Sequence, residues 1–124
     1  MTHDQIDMIN RCMEVIGTVE EALERADYLF AGGNAGGAFV MINDAVTGLM
    51  SVSAALGVLE DEETPADDLQ SLQYDMENSF GILADAFEDD DAAVASEALR
   101  TRTIPSFKEW KAEVEKRYGK ITLN

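Results

Sequence analysis

Between Ala35 and Leu59 the chain carries a single charged side chain, Asp44, and this stretch constrains the fold more than any other part of the sequence. Ala38, Ile42, Ala45, Leu49, Val52 and Leu56 recur at steps of three and four, the repeat of one face of an α-helix. Phe39, Val46 and Met50 form a second apolar stripe beside the first, so Asp44, Thr47 and Ser51 are left as a narrow polar edge. A helix apolar over so much of its circumference is either buried at the centre of a bundle or open to a partner. A membrane span is not expected: an acid at mid-bilayer costs about 2.5–3.5 kcal/mol, and no Lys or Arg flanks the segment.

The flanking segments read as helices too. Ile6, Ile9, Met13, Ile16, Val19, Leu23, Ala26 and Phe30 place a helix over about residues 3–31, closed by Gly32 and Gly33. Asp7 with Arg11 and Glu21 with Arg25 have the spacing of ion pairs one turn apart. Asn34 is a good N-cap for the central helix. The run Glu60-Asp61-Glu62-Glu63 is too polar to pack and reads as a solvated loop, after which Thr64-Pro65 supplies a cap and a first-turn proline. The third helix then presents Leu69, Leu72, Met76, Phe80, Leu83 and Phe87 on one face. Glu88 to Asp91 suit the start of a fourth, with Val94, Ala98 and Leu99 inward. Pro105 interrupts it, and Phe107, Trp110, Val114 and Tyr118 resume the repeat until Gly119. No segment alternates with period two. Short links favour antiparallel neighbours, so the expected fold is all-α: an antiparallel up-and-down four-helix bundle, its last helix kinked or split near Pro105. A chain of 124 residues forms one such domain, residues 1–124.

Charge and missing chemistry narrow the function. Residues 1–99 hold 22 acids against Arg11 and Arg25 alone, whereas residues 100–124 hold seven bases and three acids. The acidic body repels phosphate backbones and anionic lipid heads, so neither nucleic acid nor a membrane is the expected partner. The same excess of acid also serves solubility. Cys12, the single cysteine, excludes an internal disulfide and reads as a core residue in a reducing cytoplasm. The start Met1-Thr2-His3-Asp4 lacks the basic and apolar runs of a secretory signal. His3 is the one histidine, so a carboxylate-bridged metal pair built on Glu-x-x-His is not available, and no metal site is expected. Asp89-Asp90-Asp91 lacks the spaced oxygens and central glycine of a calcium loop. Gly32, Gly33, Gly36 and Gly37 follow no strand and precede no Lys-Ser or Lys-Thr, so turn glycines are expected there and not a phosphate cradle. No nucleophile and base are paired, so no catalytic residue, cofactor or enzymatic activity is expected.

From Gly33-Asn34 onward the pattern Ala38, Ile42, Ala45, then Leu49, Val52 and Leu56 resembles that of the flagellar export chaperones that bind flagellin. Leu69, Leu72, Met76 and Phe80 look like that family's third helix, and Trp110 like its C-terminal tryptophan, so the resemblance covers about residues 20–112. Its N-terminal tyrosine has no counterpart before Tyr28, its tyrosine pair is reduced to Tyr74, and Pro105 interrupts the last helix. The resemblance implies an α-helical chaperone whose apolar groove holds a segment of another polypeptide.

The expected function is accordingly a cytoplasmic protein-binding or chaperone-like module. Phe39, Val46 and Met50 would touch the partner, and the adaptable side chains of Met8, Met41 and Met76 would extend the surface. Two alternatives stay open: these residues are ordinary core, or a homodimer buries the same stripe. A pocket between helices for a small ligand is the remaining reading.

Overall fold

A computed structural model describes residues 2–62 and 67–122. The chain is all-α, with helices α1 (His3–Ala31), α2 (Ala35–Glu62), α3 (Asp67–Glu88), α4 (Ala92–Ala98) and α5 (Ile104–Thr122). A π-helical turn, Leu99–Thr103, joins α4 to α5, and no strand occurs among the described residues.

Local chemistry sets the helix ends. Thr2 and Gln5 form a reciprocal capping box at the start of α1, with hydrogen bonds of 3.0 and 3.2 Å. At its end, Gly33 takes φ +81°, and the N–H groups of Gly33 and Asn34 donate to the carbonyls of Phe30 and Leu29. This double closure needs a left-handed residue, which glycine supplies without strain. The Asn34 side chain then accepts the Gly37 N–H at 3.0 Å, capping α2 as expected. The same closure ends α3, but there Asp90 holds the left-handed position at φ 53°, and Asp91 caps α4 by accepting from the Val94 N–H.

The six residues of the first α2 stripe are all buried, and they pack along α1, whose inner face is Ile9, Cys12, Ile16, Val19, Leu23 and Ala26. Gly48 lets the two backbones approach: a Cβ there would lie 2.9 Å from Val19 Cγ2. Farther along, the Phe30 and Phe39 rings meet edge to face at 5.4 Å. Phe107, Trp110, Val114 and Tyr118 are buried on α5, which packs on both α1 and α3. Lys111 reaches Glu20 on α1 at 2.8 Å, and Arg100 reaches Asp27 at 3.5 Å. The hydrogen bond to Glu20 is the main reason the Lys111 ammonium titrates above its ordinary range. Cys12 is buried, and burial pushes its thiol up, so it stays protonated and inert.

Several expectations are corrected. Glu60 to Glu62 continue α2 instead of forming a loop, consistent with the good helix propensity of glutamate. Glu63 and the Thr64-Pro65 cap lie outside the described residues. Phe87 and Val94 are 60% and 46% exposed, because Ala86 and Ala95 take the inward positions one residue away. The helix does not stop at Gly119 but runs to Thr122. On α1, Asp7 pairs with His3 and Arg25 lies over the Tyr28 ring, in place of the two ion pairs that spacing suggested. Ahead of Pro105, the Ile104 N–H donates to the Leu99 carbonyl across the π turn.

Candidate functional site

The α2 and α3 helices do not pack backbone to backbone along their lengths as α1 and α2 do. Between them runs a cleft of about 490 Å³, walled by Phe39, Asn43 and Val46 on one side and Phe80, Ala84 and Phe87 on the other. Ile42 and Leu83 form its floor. The cleft shares Val46 and Phe80 with a second one of about 390 Å³, which adds Leu49, Met50, Ser53, Met76 and Glu77. The two make one continuous groove. Positions 39, 43, 46, 50 and 53 follow steps of four and three, which is why one side of α2 can line it from end to end.

The groove is apolar and open. Asn43 and Ser53 are its polar side chains on α2, and Glu77 is its one charged lining residue. Met50 is 68% exposed on its wall. Phe39 stacks edge to face on Phe87, with centroids at 4.9 Å, and on Phe30, so three aromatic rings close one end. The α2 and α3 helices hold four and six Asp or Glu residues, respectively, and no Lys, Arg or His.

The six residues expected to touch a partner divide three ways. Phe39, Val46 and Met50 are brought together on the groove wall. Met76 lines the groove only as floor: it is 1% exposed, because the inward face of α3 runs through Leu69, Met76 and Leu83. Met8 and Met41 are half-buried against the core and do not line the groove. Sequence reading missed Phe80, Ala84 and Phe87 as site residues. Their helical spacing was visible, but it put Phe80 and Phe87 in the core face, and nothing in spacing separates a core face from a groove wall.

Other features offer less. Among the described residues no three His, Cys, Asp or Glu side chains gather as a metal site. The buried Thr103 Oγ1 and Trp110 Nε1 have no hydrogen-bond partner, but both belong to the packed inner face of the last helical run. The Ala35–Leu59 part of α2 is long and apolar enough to cross a membrane by length and composition, a property it shares with core helices of soluble proteins.

Fold and groove together define an all-helical protein with an elongated apolar cleft between two helices that carry acids and no bases. The chain belongs to the family described as Domain of unknown function (DUF8042), which matches residues 7–113. No curated protein and no solved structure matches it.

Proposed function

We propose that this protein is a cytoplasmic polypeptide-binding module, chaperone-like in that it holds an apolar segment of another protein between α2 and α3. In this reading the helices form an antiparallel up-and-down four-helix bundle, with the last helix split at the π turn and the α2–α3 side left open. The observation that carries it is the groove itself, with Met50 and Phe87 more than half exposed on its walls. Large apolar side chains around a concavity gain about 25 cal/mol per Å² when a partner removes them from water. From the flagellar chaperones the reading keeps only the idea of a held segment, without their client. Catalysis, nucleic acid and membranes have no part in it.

A homodimer through the same stripe is the competing reading, favoured by Val40, Met50 and Val58, which leave an apolar strip exposed along α2. Replacing Met50 with a photo-crosslinking amino acid tests both inside the native cell. Adducts to a different polypeptide are expected; adducts to a second copy favour the dimer. If the probe reacts no more at Met50 than at exposed Glu14 on α1, the groove is not a binding surface.

A further inference from the structure

We infer that the groove is built for a basic amphipathic α-helix of four to five turns and not for a second copy of this chain, an inference that rests on the groove being a binding surface.

A helix is favoured by backbone accounting. The groove walls are helices whose amide groups are already paired within themselves, so they offer no strand edge to an incoming chain. An extended segment would press its N–H and C=O groups onto apolar side chains, and each left unsatisfied costs about 1–3 kcal/mol. A helix satisfies its own backbone and presents only side chains. Its length follows from the lining residues: from Gly36 to Ser53 the groove runs roughly 25 Å at 1.5 Å per residue, matching a helix of about 17 residues.

The charge of the occupant follows from the walls. The α2 and α3 helices carry ten acids, four and six, without one base between them. Glu77 lines the groove, and Glu88 follows Phe87 at its aromatic end, leading into Asp89, Asp90 and Asp91. Lys and Arg flanking the apolar stripe of a bound helix would meet Glu77 and be drawn by the acidic excess of the two helices; Asp and Glu would be repelled. A second copy brings the same acidic helices and a formal charge of -16 to meet another -16.

The molecule contains its own precedent. The α5 helix combines a buried apolar stripe, Phe107, Trp110 and Val114, with bases on its flanks, and docks on acidic α1 through the Lys111 to Glu20 contact. One helix of the inferred kind is thus already held by this protein, on another face.

The test uses the full chain and a labelled Leu/Lys peptide of about 18 residues, with leucines at helical spacing, beside a twin carrying Glu for every Lys. Binding is read by fluorescence anisotropy from about 50 to 500 mM salt. The Lys peptide is expected to bind, and to weaken as salt rises. The double variant Glu77→Lys/Glu88→Lys should weaken it at least tenfold. Glu14→Lys/Glu24→Lys changes net charge equally at exposed positions on α1, off the groove, and should weaken it no more than about twofold; circular dichroism confirms that both variants fold. Equal losses in the two variants overturn the inference, as does failure of the Lys peptide to bind. If the Glu twin binds as tightly and Met50→Asp abolishes that binding, the inferred charge is wrong while the groove reading stands. If Met50→Asp and Phe87→Asp leave Lys peptide binding untouched, the groove reading itself falls. A dimer in light scattering that tightens as salt screens repulsion would assign the groove to a second copy and overturn the inference.

Discussion

Leu49 and Met50 are neighbours in sequence and opposites in environment, 6% and 68% exposed. Leu49 is a core residue that meets the second cleft only as floor, and Met50 stands on its wall. An acid at position 49 has no partner charge in the core, so Leu49→Asp should cost on the order of 4 kcal/mol, a large fraction of the roughly 5–15 kcal/mol that holds a small domain together. Met50→Asp should change stability by no more than about 0.5 kcal/mol, because its side chain is solvated already. Far-ultraviolet circular dichroism with urea titration reads both. Equal loss of helicity would show that α2 does not keep its two stripes apart.

At the scale of the element, glycines inside helices separate propensity from packing. Gly81 is exposed on α3, and a Cβ there meets nothing within 4 Å. Gly48 sits where α2 crosses α1, and a Cβ would press on Val19 at 2.9 Å and Val15 at 3.3 Å. Valine has little rotamer freedom in a helix, so it cannot swing aside. Gly81→Ala should therefore stabilise the protein by about 0.8–1.0 kcal/mol, the propensity difference. Gly48→Ala should destabilise it by about 1 kcal/mol net, since overpacking costs about 1–3 kcal/mol against the same gain. Shifts of the same sign in thermal melts of the two variants would mean that the α1–α2 crossing has slack. Element ends carry a related lesson: Gly33 was readable as a helix stop, whereas Asp90 in the same left-handed role was not, because its residue type does not announce that conformation.

The whole molecule is a charge dipole, with an acidic body and a basic C-terminal helix docked on it. Ion pairs such as Lys111 with Glu20 orient that helix, yet exposed pairs contribute only about 0–1 kcal/mol. Trp110 is fully buried, and truncating such a side chain costs about 3–5 kcal/mol. Trp110→Ala should lower the thermal midpoint by on the order of 10 °C, while Lys116→Ala, exposed on the same helix, should move it by no more than about 2 °C. High salt should leave the tryptophan emission of the native protein blue-shifted. A red shift at high salt with the remaining helices intact would mean that charge, and not packing, holds α5 in place.

What the sequence determined by itself is the part written in local chemistry and period. The bounds of α1, the Asn34 cap, the buried six-residue stripe of α2 and the four buried residues of α5 all follow from spacing, glycine and capping residues, because each depends on neighbours within one or two turns. Tertiary structure alone decided which faces meet. Period shows that Phe39, Val46 and Met50 share a side of α2, but whether that side is core or surface depends on how far α3 stands from it. That distance is set by the packing of α3 on α4, the π turn and α5, residues remote in sequence from α2. The groove is therefore a property of four helices together, and no single stretch of the chain encodes it.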